Sequence, residues 1–171
     1  MPWLLAIGDV NGRSLLTHMG KHQAHIAAAV IEGGHAQASR ETAVTPRVVF
    51  TDPQIAAVGL TLQEAHERGF DARAYDVPSP GTAGASFHGR DTPGTSRLVF
   101  DEDSSVIVGA TFTGTEISEW LHTATIAIVG KVPAERLWEA VPAFPTRSEI
   151  WLNLLEKRQR LRGVALRQPP S

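Results

Sequence analysis

The sequence predicts an α+β fold, an antiparallel sheet with helices on one face, preceded by one strand and one helix of an α/β domain. An apolar run over residues 3–10 stops at a Gly-Asp turn and is followed by a helical pattern. From residue 46 onward, short strand-like segments alternate with turn residues and with amphipathic stretches. Their order, strand, helix, strand, hairpin and helix, favours an α+β unit.

The first part of the chain reads as a strand followed by a helix. Residues 3–10 are predicted to be a buried strand of a parallel sheet, and residues 11–14 a turn in which Ser14 caps the next helix. Apolar residues at three- and four-residue steps predict a helix over residues 15–32, which Gly33 ends. Residues 35–46 are small and polar, as in a linker between domains.

The second part contains the strands of the antiparallel sheet. Thr61 and Glu64 are spaced as a capping box, which predicts a short helix over residues 61–68. A Gly-, Pro- and Ser-rich loop is predicted over residues 78–95. The predicted strands are residues 47–50, 54–60, 71–77, 97–100 and 106–113, the last two forming a hairpin.

Helices close the chain. They are predicted over residues 116–129, 132–138 and 148–161, and a frayed tail follows. Trp120, Trp138 and Trp151 lie on these helices, where they are core residues or anchors of a two-fold interface. Four cations at the end of the last helix suit its dipole: Lys157, Arg158, Arg160 and Arg162.

The composition is that of an ordinary globular protein. Of 171 residues, 42% are hydrophobic and 20% charged, and the net charge of −2 argues against a nucleic-acid or membrane partner. No apolar run is long enough to span a membrane, and no secretory signal is recognisable, so we expect a cytoplasmic protein. The chain has no cysteine, which excludes thiol chemistry from its own residues.

Asp9 is the first candidate for a binding role. A carboxylate at the carboxyl end of a parallel strand lies where open α/β sheets bind ligands, and it accepts hydrogen bonds from sugar-like hydroxyls. The alternative is an ordinary turn aspartate. His18, His22 and His25 share a helical face and could bind a metal, but a solvated helix face is the better interpretation, and we assign no metal site.

Several short motifs, in this order and at this spacing, resemble the pyridine nucleotide–disulfide oxidoreductases. These are flavoproteins with two dinucleotide-binding domains. The motifs are Ala6-Ile7-Gly8-Asp9-Val10 with Leu15-Leu16-Thr17-His18 and Gln23, Val48-Val49-Phe50-Thr51-Asp52-Pro53 with Ala56-Ala57-Val58-Gly59-Leu60-Thr61, Ile107-Val108-Gly109-Ala110 with Gly114 and Ser118-Glu119, and Phe144-Pro145-Thr146-Arg147-Ser148-Glu149. In that family the first motif lies well past the middle of the polypeptide, so the resemblance implies a C-terminal piece of a larger enzyme.

The resemblance implies a domain plan and a cofactor. Residues 1–38 would be the end of an FAD-binding domain, residues 39–162 a dimerisation domain that forms a homodimer, and residues 163–171 a flexible tail. FAD would be the cofactor and NAD(P)H the co-substrate of the parent, whose N-terminal FAD and NAD(P) domains are missing here. The implied cofactor-binding residues are Gly8, Asp9, Leu16, Thr17, His18, Phe144 and Pro145.

The chain departs from the family at Phe144. Disulfide-reducing members carry a His there, paired with the Glu that corresponds to Glu149, as acid–base partner of a thiol. Phenylalanine transfers no proton, and the neighbouring position where members often carry a His is Pro142. We therefore assign no catalytic residue to this chain and expect the parent to pass electrons to a quinone or another non-disulfide acceptor.

Two alternatives stay open. The parent could be a disulfide reductase, resembling dihydrolipoamide dehydrogenase, that uses a different base. The chain could instead be a free-standing dimerisation module without flavin or catalysis. Whether the protein is an enzyme is therefore undecided at this stage, and the chain alone, which lacks a Gly-x-Gly-x-x-Gly motif, is expected to be inactive.

Overall fold

The computed structural model describes residues 4–35, 44–88 and 93–163. The chain divides into two compact units, Met1–Thr45 and Pro46–Ser171. The predicted boundary between residues 38 and 39 falls outside the described residues, as does the predicted tail from residue 164 onward. These limits stay predictions.

The first unit consists of a 3₁₀ turn, Gly8–Asn11, and one long helix, α1 (Thr17–Ile31). The strand predicted over residues 3–10 is wrong in the part that the structure describes. Residues 4–7 form no strand, and their side chains are exposed. A parallel strand needs hydrogen-bonding neighbours, and the described residues of this unit contain no other strand.

Helix α1 begins and ends without help from side chains. Leu16, in extended conformation, precedes its first residue, and no side chain caps it. The predicted Ser14 cap is wrong, because Ser14 is buried and its hydroxyl lies 3.3 Å from that of Thr45. The predicted glycine end is confirmed, since Gly33 has a φ of 86°, which favours glycine.

The second unit is built on a five-stranded antiparallel sheet, which confirms the predicted fold class. The spatial order of the strands is β1-β2-β5-β4-β3, and every neighbouring pair is antiparallel. The strands are β1 (Arg47–Val49), β2 (Gln54–Gly59), β3 (Ala72–Pro78), β4 (Thr95–Asp101) and β5 (Val106–Gly114).

Side chains of the sheet alternate between a large core and a small one. In β4, Leu98 and Phe100 enter the large core, whereas Val99 enters the small core on the other face. The pairing of β4 with β5 shifts register between Val99 and Phe100. Because of this bulge, Ile107 and Ala110 reach the same core although they are three residues apart.

The helices after the hairpin cover the large core. They are α3 (Trp120–Val129), which follows a 3₁₀ turn at Ile117–Glu119, α4 (Ala134–Glu139) and α5 (Glu149–Leu161). Trp120 and Trp151 are buried there, each with its ring against that of Phe112, and Trp138 is half-buried. No helix within residues 4–35, 44–88 and 93–163 is long and apolar enough to cross a membrane.

The remaining helix, α2 (Leu62–Glu67), packs on the opposite face of the sheet. The prediction that the helices lie on one face is therefore wrong for α2. Its Ala65 belongs to the small core with Val99. The predicted capping box is confirmed: the Glu64 N–H donates to Thr61 Oγ1 at 3.2 Å, and the Thr61 N–H donates to Glu64 Oε2 at 2.8 Å. The hydrogen bond from the Thr61 N–H, and next the one that the Thr61 hydroxyl donates to Glu64 Oε2 at 2.9 Å, lower the pKa of the Glu64 carboxyl.

The last turns of α5 are tied to the sheet by a buried carboxylate that the sequence analysis did not single out. Glu102, in the turn between β4 and β5, forms salt bridges with Arg158 at 2.8 Å and with Arg162 at 3.2 Å. The prediction that these two cations serve the helix dipole is therefore incomplete. Arg160 instead pairs with Glu156 on the surface.

Candidate functional site

The turn that carries Gly8 and Asp9 is fastened to α1 by one buried side chain. Gln23 Oε1 accepts hydrogen bonds from the Gly8 N–H at 2.7 Å and from Asn11 Nδ2 at 2.8 Å. A Cβ placed on Gly20 would lie 3.3 Å from the Gly8 Cα, so the turn rests directly on the first turn of the helix. This arrangement leaves the side chain of Asp9 exposed.

Gln23 belongs to the first family motif but is not among the predicted cofactor-binding residues, and the structure shows that it positions this turn. It is only 5% exposed, although glutamine is usually a surface residue. A polar residue on the inner side of an amphipathic helix was the available signal, because a buried polar group needs a hydrogen-bond partner. Two of its bonds, however, are to the preceding turn, from the Gly8 N–H and the Asn11 side chain.

Leu16, Thr17 and His18 lie together at the start of α1. All three are exposed, and no side chain caps the N–H groups of this first turn. Such N–H groups carry the positive end of the helix dipole and suit an electron-rich ligand edge. The structure thus places five predicted site residues, Gly8, Asp9 and these three, on the turn and the helix start of one unit.

An apolar groove of about 520 Å³ lies beside this turn. Its walls come from residues 4–7 on one side and from α1 on the other, where Ile26, Ala27 and Val30 contribute. Part of the lining belongs to a larger set of apolar side chains that are exposed in this unit. These are Leu4, Leu5, Ile7, Val10, Leu15, Leu16, Val30 and Ile31.

The other two predicted site residues, Phe144 and Pro145, lie between α4 and α5 in the second unit. Phe144 is 78% exposed, and Pro145 is also exposed. The segment is held from within by Thr146, whose hydroxyl donates to the Ala143 carbonyl at 2.6 Å. The Phe144 side chain is therefore presented to solvent and is not packed in the core of this unit.

Glu149, the residue that pairs with a His in the family motif, has a backbone partner here. Its Oε2 accepts a hydrogen bond from the Gly84 N–H at 3.1 Å. Four residues further along α5, Asn153 Nδ2 donates to the Gly81 carbonyl at 3.1 Å. Two side chains of α5 therefore hold the segment that follows β3.

Arg147 lies inward from the same segment. Its guanidinium stacks 5.0 Å from the centre of the Trp120 ring and comes within 3.7 Å of a Glu116 oxygen. The Nε and Nη1 atoms are buried without hydrogen bonds. Burial lowers the pKa of the Arg147 guanidinium, and the nearby Glu116 charge opposes this effect.

Residues that could hold a metal ion do not cluster in the described parts of the chain. Among residues 4–35, 44–88 and 93–163, no group of three or more His, Asp or Glu side chains is arranged for this purpose. The surfaces described above offer hydrogen-bonding groups, a helix N-terminus and apolar side chains.

Comparisons with known proteins find similar sequences over most of the chain. The family profile described as pyridine nucleotide-disulphide oxidoreductase, dimerisation domain, matches residues 45–155. The dihydrolipoyl dehydrogenase of Chlamydia pneumoniae is 36% identical over 151 residues, and that of Buchnera aphidicola subsp. Schizaphis graminum is 37% identical over 148 residues. The matches cover 88% and 85% of this chain but only 32% and 30% of those enzymes, so the chain spans about a third of their length.

Solved structures share the fold at lower sequence identity. RclA from Escherichia coli, described as an HOCl-induced flavoprotein disulfide reductase, matches with a TM-score of 0.78 and 22% identity. LpdA from Mycobacterium tuberculosis matches with the same TM-score and 23% identity. These matches cover 88% and 91% of this chain, and 34% and 33% of the two structures.

Proposed function

Because the chain belongs to the pyridine nucleotide–disulphide oxidoreductase family through its dimerisation domain, we propose that it is the C-terminal segment of a homodimeric, FAD-dependent NAD(P)H oxidoreductase. The family description and the names of the relatives and structural neighbours agree with a flavin and a pyridine nucleotide in this family. A cytoplasmic location and the absence of nucleic-acid and membrane partners stay predictions.

The residues of the first unit fit a flavin edge. Asp9 offers an exposed carboxylate on a turn that Gln23 holds in place, and the uncapped start of α1 offers free N–H donors at Thr17 and His18. We propose that Asp9 accepts a hydrogen bond from a ribityl hydroxyl and that the helix start faces the pyrimidine edge. When bound, FAD would supply hydride acceptance from NAD(P)H and onward electron transfer.

Exposed apolar surface supports a missing domain. Residues 4–31 expose eight large apolar side chains, and several of them border the groove beside α1. Folded proteins rarely leave contiguous apolar surface of this kind uncovered unless another surface packs on it. The rest of an FAD-binding domain would provide such a surface.

The observation that carries the choice of electron acceptor is the environment of Phe144. This side chain is exposed and has no proton that it could transfer. The Glu149 carboxylate accepts its hydrogen bond from a backbone amide instead of an imidazole. We propose that Phe144 forms an apolar wall near the flavin of the partner subunit, and that a quinone or another diffusible acceptor takes the electrons. Hydride transfer to flavin requires no base at this position.

The second candidate is a disulfide reductase that uses a base other than residue 144. It is favoured by the sequence relatives, which are named as dihydrolipoyl dehydrogenases at 36% and 37% identity. It requires a redox-active cysteine pair outside this chain, since the chain has no cysteine. A free-standing dimerisation module is the third candidate, and in that case Asp9 has no flavin to bind.

The deciding experiment begins with the coding sequence upstream of the Met1 codon. The proposal predicts an in-phase reading frame with two glycine-rich dinucleotide motifs and without a Cys-x4-Cys pair. A frame that contains the cysteine pair would favour the disulfide reductase. A stop codon directly before Met1 would favour the module.

In the intact enzyme, Asp9→Ala should release flavin during gel filtration, whereas the exposed Asp103→Ala should retain it. Unchanged flavin content in the Asp9 variant would remove the role assigned to that carboxylate.

Phe144→His should not create disulfide reduction in a parent that lacks the cysteine pair, and such activity would refute the argument from Phe144.

A further inference from the structure

The backbone of Gly84 lies against the segment that follows Phe144. A Cβ on Gly84 would come within 2.2 Å of the Thr146 carbonyl carbon and 2.5 Å of the Arg147 nitrogen. Both distances are shorter than any van der Waals contact, so the two backbones touch directly. Residue 84 therefore has to be glycine for this contact to exist.

The segment that contains Gly84 is hydrogen-bonded to strand β4 and within itself, and it is partly buried. The hydroxyls of Ser79 and Ser96 form a hydrogen bond at 2.9 Å, and the Ala85 N–H donates to Thr82 Oγ1 at 3.1 Å. Ser79, Thr82 and Ala85 are all buried. Residues 79–87, which we name the support loop, therefore have a definite structure. Residues 143–147, which we name the Phe144 segment, rest on this loop at Gly84.

The support loop contacts the backbone of the Phe144 segment, and the Arg147 side chain anchors the segment against the Trp120 ring. Phe144 is 78% exposed, so core packing does not hold its ring. The backbone of the segment contacts Gly84 at Thr146 and Arg147, and Gly84 is in turn held by the hydrogen bond to Glu149. Asn153 fastens the same loop one helical turn further on, through Gly81.

We infer that Glu149 is a positioning residue, whose carboxylate oxygen holds the support loop against the Phe144 segment as a hydrogen-bond acceptor and carries no proton in the reaction. The inference rests on the proposed function in one respect only, namely that Phe144 borders the acceptor site. It assigns a different task in this chain to the carboxylate that pairs with the acid–base His in the family motif. Any oxygen of the same reach should perform that task, whether or not it is charged.

Three substitutions separate this role from a helix-dipole role. Glu149→Gln keeps an acceptor oxygen and removes the charge, Glu149→Asp keeps the charge and shortens the side chain, and Glu149→Ala removes both. Amide hydrogen exchange of Gly84, measured by NMR on the 171-residue chain, reports the bond directly. We expect exchange about tenfold faster in the Asp and Ala variants, as for loss of one hydrogen bond to a charged group, and within about twofold of wild type in the Gln variant.

The matched control is Glu156→Ala, on the same helix, which removes a surface pair with Arg160 and should leave Gly84 exchange unchanged. Unchanged exchange in Glu149→Ala would overturn the inference. Fast exchange in Glu149→Gln with slow exchange in Glu149→Asp would also overturn it, because charge and not reach would then be what matters. The Gln and Asp variants keep a polar side chain at the helix start, so they keep the test valid if Glu149→Ala does not fold.

Kinetics of the intact flavoenzyme supply the second readout. Glu149→Gln should leave kcat and its pH profile unchanged, whereas Glu149→Asp should raise the KM for a quinone severalfold at nearly constant kcat. A lowered kcat with a shifted pH profile in Glu149→Gln would show an acid–base role and overturn the inference. Phe144→Ala with unchanged KM for quinone would instead count against the proposed function, while leaving the Gly84 exchange result in force.

Discussion

The Glu102 carboxylate is buried and has three side-chain partners, Tyr75, Arg158 and Arg162. Its side chain is 8% exposed and accepts hydrogen bonds from the Tyr75 hydroxyl at 2.7 Å and from Arg158 at 2.8 and 3.2 Å. Arg162 adds a further contact at 3.2 Å, and the Arg158 guanidinium lies 4.5 Å from the centre of the Phe100 ring. A buried carboxylate is tolerated only when it is compensated in this way.

Removing the main partner of Glu102 should therefore be costly. We expect Arg158→Met to lower the free energy of unfolding by about 3 kcal/mol, because it leaves a buried carboxylate with fewer donors. Arg160→Met, which removes an exposed pair on the same helix, should cost less than about 1 kcal/mol. Urea denaturation measures both values. Equal losses would contradict the argument that Arg158 compensates a buried carboxylate.

Ionisation of Tyr75 lowers the free energy of unfolding of the protein at alkaline pH. Burial, together with the hydrogen bond to Glu102, raises the pKa of Tyr75 to about 12 from its ordinary value of 10.0. Below pH 10 the phenol is protonated in the folded and unfolded chains, and its contribution to stability is complete. Between pH 10 and 12 the unfolded chain loses the proton first, so this contribution declines as the pH rises.

We expect wild type to lose more stability than Tyr75→Phe between pH 9 and pH 11.5, as measured by urea denaturation. The Phe variant lacks the titrating phenol but retains every lysine, so it corrects for the other groups that ionise in this range. It should be less stable at pH 9, since Glu102 loses a donor. Parallel declines in the two proteins would show that Tyr75 does not contribute to the pH dependence.

At the scale of elements, the contact between the support loop and the Phe144 segment depends on a missing side chain. Gly84→Ala should destabilise the protein by about 2 kcal/mol, since the new methyl group would overlap backbone atoms of Thr146 and Arg147. Gly81→Ala is the matched control, because its Cβ would lie 3.2 Å from the Pro78 carbonyl oxygen and needs only a small adjustment. Thermal unfolding of both variants tests the difference, and an equal shift in Tm would be evidence against the close approach.

Elements that depend on local patterns were predictable. The Thr61 and Glu64 capping box needs residues three positions apart, and it forms as predicted. The β4–β5 hairpin and the helical spacing of Ile117, Trp120 and Leu121 are likewise local patterns, and the structure buries all three side chains. Family resemblance added the order of these elements, which periodicity alone does not supply.

Features that depend on distant partners were not predictable in the same way. The apolar run before Gly8 resembles a buried strand, but its strand character would need neighbours that the described residues of this unit do not provide. Gln23 bonds a turn 15 residues away, and Arg158 bonds a carboxylate 56 residues away. No spacing rule connects such pairs, because chain folding and not local geometry brings them together.

At the scale of the whole molecule, the second unit has a core of its own, formed by one face of the sheet and helices α3–α5. We expect the 171-residue chain to form a dimer, as the family's dimerisation domain implies, with a mass twice 18.4 kDa by light scattering. The exposed apolar side chains of residues 4–31 could instead cause non-specific association. Residues 46–171 alone should therefore dimerise as well, and a monomer at every concentration would contradict the expected dimer.

The Glu102 cluster has a practical consequence for anyone who expresses this domain separately. The family profile ends at residue 155, whereas the two arginines that compensate Glu102 are residues 158 and 162. A gene fragment trimmed to the profile would encode the complete sheet but leave a buried carboxylate without its cations. A stop codon placed after Gly163 retains both arginines and the last turn of the helix, and is the safer design for producing soluble material.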